Sequence, residues 1–348
     1  MNKCEFRMAD RRKTSVILNS VYMRRFGRLK LKKRIAGIAA GRGNRMDQLL
    51  LFLQQIINGL RVGSVYALIA LGYTMVYGII RLINFAHGDF IMVGGYTLVF
   101  TVPLMLQLGI PAWSAVALAV VVCALFGVAV EKLAYSPVRK KGTAMSTLIT
   151  AIAMSLFLEN LAQTLFTANP KQVGTIFQFP KIFGFDGKTV LTIAIGVIVM
   201  IGLQLFVMYT KTGRAMRAVS SDKEAAVLMG VNVNRTIAVT FAIGAGLAGV
   251  ASLMYCSQYP TVYPMMGSML GLKAFVAAVL GGIGIIPGAM LGGIVIGLVE
   301  SLTKAYIGTV TGGIITSAFS DAIVFAILII VLLVKPSGIL GKNTGEKV

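Results

Sequence analysis

Apolar runs long enough to cross a bilayer recur along this chain from Leu49 to Val334, and no other feature restricts its fold so tightly. Hydropathy separates them into stretches near 49–80, 88–109, 113–134, 143–168, 190–209, 236–256, 268–285, 288–307 and 318–334. About 20 residues of helix span a hydrocarbon core roughly 30 Å thick. Lipid offers the backbone no hydrogen bonds, so such segments must satisfy their own peptide groups, as a helix does. The predicted fold class is all-α: a polytopic membrane protein with about eight to ten transmembrane helices, broken or re-entrant ones included. Composition excludes a soluble globule. With 57% hydrophobic and 13% charged residues and a mean hydropathy of +0.83, the apolar surface exceeds what one core can hide.

Motifs that would give the chain chemistry of its own are missing. Cys4, Cys123 and Cys256 are widely spaced, the last two within apolar stretches, so they indicate neither a disulfide framework nor a zinc site. His87 is the only histidine. Without a His-Glu-x-x-His, paired-cysteine or Gly-x-Ser-x-Gly arrangement, no metal, cofactor or catalytic centre is expected. The sequence also has no Gly-x-x-x-x-Gly-Lys-Ser/Thr loop. Any dependence on ATP must therefore enter through a partner.

The net charge of +21 is unevenly spread. Residues 1–45 hold fourteen Lys or Arg against Glu5 and Asp10, a net +12, and residues 46–348 hold nineteen against ten, a net +9. A basic arm can bind nucleic acid or anionic lipid, but retention of positive charge on the cytoplasmic side of a membrane accounts for this one, and no nucleic-acid partner is expected. Residues 1–45 lack the apolar core of a cleaved signal and read as a basic N-terminal extension, either disordered or untranslated with synthesis starting at Met46. The membrane domain is assigned to 46–341 and a cytoplasmic tail to 342–348. Arg139-Lys140-Lys141, the segment Lys211 to Arg235 and the tail after Lys335 go to the cytoplasm by the same rule. Residues 169–189, with Asn169-Pro170, Lys181 and Gly184, become the main external loop. Nine simple spans with a cytoplasmic C-terminus put the +12 arm outside. That conflict disappears if the arm is not made, if a span is re-entrant, or if 49–80 breaks near Asn58-Gly59 and Arg61-Val62-Gly63.

Two stretches read as interrupted helices. Ile83-Asn84-Phe85-Ala86-His87-Gly88-Asp89 sets polar groups among apolar runs, and Gly281-Gly282-Ile283-Gly284-Ile285-Ile286-Pro287-Gly288 combines flexible backbone with a missing N–H. Breaks in the two halves of a chain point to a transporter's midplane site. Asn84, His87, Gly88, Asp89, Gly281, Gly282 and Gly284 are the candidate path residues. Close helix packing is the competing explanation for glycines four apart, such as Gly284, Gly288 and Gly292, or Gly293 and Gly297. His87 beside Asn84 and Asp89 also fits a histidine that ties a broken helix together. Asp89, Glu159, Lys273 and Glu300 lie in apolar surroundings and should face the protein interior, whereas Glu131-Lys132 reads as an interfacial pair.

Between the fifth and sixth stretches lies a polar segment, 210–235. Thr212 and Gly213 end a span, and Ser221 or Asp222 can cap a helix starting near Lys223. Glu224 falls in its first turn, where the helix dipole favours negative charge. Ala225, Ala226 and Met229 share neighbouring faces, and Gly230 ends the helix in a conformation other residues resist. On these residues alone the segment is either a docking element or a basic connector.

Residues 46–348 resemble the branched-chain amino acid (leucine/isoleucine/valine) ABC importer permeases, in their shorter type. The resemblance is carried by Glu224-Ala225-Ala226 with Gly230, by Asn58-Gly59 with Gly63-Ser64-Val65-Tyr66-Ala67-Leu68, by Gly72-Tyr73-Thr74-Met75-Val76-Tyr77-Gly78 and by Ile83-Asn84-Phe85-Ala86-His87-Gly88. Gly213-Arg214-Ala215, Lys273-Ala274-Phe275, Ala278-Val279-Leu280-Gly281-Gly282-Ile283-Gly284, Pro287-Gly288-Ala289 and Lys335-Pro336-Ser337-Gly338-Ile339-Leu340-Gly341 extend it. The Ile-x-Leu-Pro ending of the wider docking motif is absent after Gly230.

The resemblance implies a pore half in the bacterial inner membrane. Its implied partners are a second permease subunit in a heterodimer, two ATP-binding subunits, an extracytoplasmic substrate-binding protein and membrane lipid. Residues 213–230 would be the coupling helix, with Gly213, Arg214, Arg217, Glu224, Ala225, Ala226 and Gly230 meeting the ATPase. Alternatives with a similar permease are a urea or short-chain amide importer and, more distantly, a ribose-type sugar importer. An ion-coupled secondary transporter using Asp89, Glu159 and Glu300 is the alternative of a different class.

Overall fold

The computed structural model describes residues 48–81, 83–176, 186–312 and 316–341. The basic extension, Lys181 and Gly184 of the external loop, and the 342–348 tail lie outside these residues. Spatial proximity divides the chain into Met1–Gln54 and Gln55–Val348. Described residues of the first are the opening turns of one helix, and all contacts below belong to the second.

Helix α1 (Gln48–Ile80) leads through a 3-10 turn, Phe85–His87, into α2 (Asp89–Gln107). α3 (Ser114–Val130) continues through a π-helical stretch, Glu131–Tyr135, into α4 (Ser136–Lys141). Then come α5 (Ala144–Phe166), β1 (Lys171–Gln172), α6 (Gly187–Tyr209), and the short helices α7 (Lys211–Ser221) and α8 (Lys223–Leu228). α9 (Val233–Gln258), β2 (Thr261–Val262), α10 (Met266–Gly281), α11 (Ile286–Val310) and α12 (Ser320–Val334) complete the order. Among the described residues, eight helical segments are long and apolar enough to span a bilayer, and α10, with 16 residues, is a shorter apolar ninth. These correspond to the nine hydropathy stretches, and the fold is all-α and polytopic as the sequence predicts.

Contacts sort the helix ends into two groups. Arg81, after α1, donates to the Ser220 carbonyl of α7 at 3.4 Å. Arg139 of α4 reaches Asn234 Oδ1, in the first turn of α9, at 3.3 Å. Partial burial, and then the nearby charges of Arg139 and Arg81, hold the Lys223 ammonium below its usual pKa. By the positive-inside rule this basic end is the one expected to face the cytoplasm. At the opposite end the residues after α5 and after α9 meet, and β1 pairs antiparallel with β2, Lys171 opposite Val262 and Gln172 opposite Thr261.

α1 runs through the interior: 89% of its most apolar window is buried, against 17% for α6 and 11% for α12. The last two present side chains such as Ile198 and Leu333 outward, where lipid solvates them at no cost. The break considered near Gly59 and Gly63 is absent, and α1 is continuous there. Those glycines face α11 instead. A Cβ on Gly59 would stand 2.8 Å from Leu298 Cα, and one on Gly63 2.8 Å from Ile294 Cα. Gly293 and Gly297 of α11 return the contact against Ala67 and Gly63, so the packing explanation holds for this pair. Gly297→Val is expected to lower stability by about 1–3 kcal/mol, because the added methyls meet α1 backbone that cannot retreat. The thermal midpoint of the detergent-solubilised protein reads this directly.

Candidate functional site

The polar segment 210–235 is built from local hydrogen bonds. Thr210 Oγ1 accepts from Gly213 N at 2.9 Å and starts α7. Asp222 Oδ1 accepts from Glu224 N at 2.8 Å and Ala225 N at 3.1 Å and starts α8, as the sequence predicts. Gly230, at φ 78°, closes α8 with Gly230 N on the Val227 carbonyl and Val231 N on the Ala226 carbonyl. Asn232 then caps α9 through Arg235 N at 3.0 Å.

Two sequence expectations change here. The 213–230 segment is two helices, not one, because extended backbone at Asp222 separates α7 from α8. Gly213 lies in the first turn of α7 and does not end a span; it backs onto the carbonyls of Phe206 and Val207, where a Cβ has no room.

α7 buries Met216 and Val219 and exposes Arg214 and Arg217, and Arg217 also donates to the Met208 carbonyl at 3.0 Å. On α8 only Ala226 is buried. Glu224 and Ala225 are exposed, and Leu228 and Met229 are 88% and 83% exposed. A capped helix whose apolar tip lies bare is an unusual surface unless something covers it.

The segment is wired into the membrane part. Ser220 Oγ donates to the Gly78 carbonyl of α1, and Met216, Arg217 and Ser220 share a small cavity with Gly78 and Gly284. A displacement of α7 therefore bears on α1 and on the turn between α10 and α11.

That turn revises the second interrupted-helix reading. Gly281–Ile285 joins two antiparallel helices at the end they share with α7 and does not break one span. Gly282 and Gly284 take φ 108° and 93°, and Pro287 opens α11. The C-terminal strap clasps the turn: Ile339 N donates to the Leu280 carbonyl at 2.8 Å and Leu340 N to Gly281 at 3.1 Å.

The first interruption does sit in the interior. Asn84, His87 and Asp89 are 3%, 0% and 1% exposed. Asn84 Oδ1 accepts from Tyr135 of the π-helical stretch at 2.5 Å, and Asp89 Oδ2 from Ser155 at 2.6 Å. The His87 ring fills the notch left by Gly72, 4.7 Å from the Tyr73 ring centroid and 5.7 Å from that of Phe90. Gly88 packs on Gly267 and Gly271 of α10. These contacts are those of a knot that pins α1, α2, α5 and α10. Glu131 pairs with Arg139 at 3.1 Å rather than with its neighbour Lys132.

The spacious polar region is elsewhere. A cavity of about 540 Å³ opens among the outer ends of α1, α9, α10, α11 and α12. Lys273 lies between Glu300 at 3.0 Å and Asp321 at 2.7 Å. Glu300 also accepts from Lys304 at 2.5 Å and from Tyr66 Oη at 2.7 Å. Glu159 is likewise buried and accepts from Ser268. The expectation that Asp89, Glu159, Lys273 and Glu300 face inward is met. Asn84, His87, Gly88, Asp89, Gly281, Gly282 and Gly284 do not line this cavity. Tyr66, Gln258, Lys304 and Asp321 do, and the sequence reading gave them no role. The Glu300/Lys304 spacing of four was a signal for a paired helix face.

Residues 55–332 match the profile of the family described as "Branched-chain amino acid transport system / permease component". The chain belongs to this family. Its relatives include the high-affinity branched-chain amino acid transport system permease protein BraD of Pseudomonas aeruginosa, 41% identical over 316 residues that cover 87% of this chain and 100% of the relative. The corresponding LivH of Escherichia coli is 42% identical over 315 residues, 87% of this chain and 99% of that one. A probable LivH of Methanocaldococcus jannaschii is 30% identical over 65% of this chain and 72% of its own length. The permease is thus a multi-pass membrane protein and a transport subunit, one component of a larger transport system.

Proposed function

We propose that the permease is the pore-forming half of an ATP-driven importer that moves branched-chain amino acids across a bacterial inner membrane. It pairs with a second permease, receives substrate from an extracytoplasmic binding protein, and is driven by two ATP-binding subunits seated on α7 and α8. The observation that carries the reading is α8: short, capped at both ends, bare at Leu228 and Met229, and linked through α7 to Gly78 of α1. A chain without a P-loop needs such a handle. ATP-driven closure pulls the handle, α7 transmits the displacement to α1 and the α10–α11 turn, and access passes from one face to the other. Reversing a two-state preference takes only several kcal/mol of differential binding, about 5.5 for a full exchange of populations.

The substrate class follows from the relatives, and competition uptake tests it. In vesicles holding the assembled importer and its binding protein, unlabelled leucine, isoleucine and valine should each suppress labelled leucine uptake, and urea or acetamide should not. Uptake of urea with no uptake of leucine would transfer the assignment to the amide importers.

A further inference from the structure

The outer cavity has two features that its own ion pairs leave unexplained. Arg61 Nε and Gln258 Nε2 are buried N–H donors on its wall with no acceptor among the described residues. Arg61 is not loose, because its other arm donates to Thr189 Oγ1 at 3.2 Å and fixes the guanidinium. A buried donor without an acceptor is costly, and a wall with two of them is organised for an acceptor that comes from outside the chain. The second feature is a partly exposed carboxylate at the outer edge of the ion-pair network. Asp321 is a third exposed and shares the single ammonium of Lys273 with Glu300, while Lys304 approaches Glu300 and not Asp321.

We propose that this cavity is a binding site, within the permease itself, for a free zwitterionic amino acid with an aliphatic side chain. The carboxylate takes the Arg61 and Gln258 donors, and the ammonium takes Asp321 beside Lys273. Val62, Val65 and Leu270 supply an apolar wall for the side chain. At about 540 Å³ the space exceeds any aliphatic amino acid, so the solute enters with some of its water. Ionisable groups inside a membrane protein mark solute pathways more often than they serve stability. The cavity lies at the end opposite α7 and α8, where a substrate arriving from outside would first meet the chain. This inference rests on the importer reading above and adds to it a place where selectivity is exercised after release from the binding protein.

The test uses the full complex in lipid nanodiscs, with Asn58→Cys as a reporter in the cavity wall and Cys4→Ser to silence the N-terminal thiol; Cys123 and Cys256 are buried. Millimolar leucine should slow alkylation of the reporter about fivefold or more, as expected for occupancy well above half. 4-Methylpentanoate, which lacks the ammonium, and isoamylamine, which lacks the carboxylate, should slow it less than about twofold, because each forfeits a charge-assisted hydrogen bond. Adding Gln258→Leu should weaken protection by leucine about tenfold. Equal protection by leucine and both analogues would overturn the proposal in favour of an unspecific apolar crevice, and no protection by leucine would overturn it outright. ATP-driven leucine uptake by the same complex in vesicles separates the two readings. Uptake without protection removes the site and leaves the importer, whereas a complex that does not import leucine at all removes the importer reading.

Discussion

Replacing Lys273 by alanine is expected to remove most of the folded permease from the membrane. Lys273 is 7% exposed and is the ion-pair partner of both Glu300 and Asp321. Deleting it takes the counter-ion from Asp321 and leaves the buried Glu300 with Lys304 alone, and breaking a buried pair from one side costs about 3–5 kcal/mol. Set against a total stability of about 5–15 kcal/mol, that is enough to unfold a large fraction of molecules. The measurement is the amount of monodisperse protein after mild solubilisation, with its thermal midpoint. Lys273→Met combined with Glu300→Gln and Asp321→Asn should recover much of the loss, because the charge left without its carboxylate, Lys304, is half exposed and can be solvated. Wild-type stability in the single variant would show that water reaches these charges freely.

The second large effect separates transport from stability. Leu228→Asp and Met229→Asp replace side chains that touch little of the permease itself, so the solubilised protein should unfold within about 0.5 kcal/mol of wild type. Uptake should nevertheless fall about 30-fold or more, the effect of losing an interface anchor worth at least about 2 kcal/mol. Glu224→Lys and Arg214→Glu, also exposed, are expected to leave the protein inserted while ATP hydrolysis runs uncoupled from leucine uptake. Normal uptake in all four variants would mean that α8 is not the surface by which the permease is driven.

What the sequence revealed and what it hid follow from the range of the interactions. The Asp222 cap, the closing turn at Gly230 and the position of Glu224 in a first turn were legible because each joins groups a few residues apart. The apolar stretches were legible, and eight membrane-length helices and the shorter α10 fall on them among the described residues, because lipid requires apolar length and little else. Glycine misled twice. In Gly59 and Gly63 it signalled a break and serves close approach to α11; in Gly281–Gly284 it signalled a break within a span and makes a turn between two. Composition cannot separate these outcomes, since a missing side chain permits both a sharp bend and a near neighbour, and the partner helix decides. The single coupling helix became two for a related reason: Asp222 caps α8 strongly enough to interrupt the run from α7. The outer cavity was hidden most completely. It needs Arg61, Gln258, Lys273, Glu300 and Asp321 from five helices to converge. In the sequence Asp321 is an ordinary acid at a helix start, and Gln258 an ordinary polar residue at a helix end.

The central claim is that a helical pore half without its own energy source is driven by nucleotide hydrolysis applied through α7 and α8. Leucine uptake into right-side-out vesicles carrying the complete importer and its binding protein tests it, with internal ATP and the ion gradient controlled independently. Uptake should persist when a protonophore and a sodium ionophore collapse the gradients, and should stop when internal ATP is depleted. Uptake that stops with the ionophores and continues without ATP would contradict the claim and make the buried carboxylates, not α8, the source of coupling.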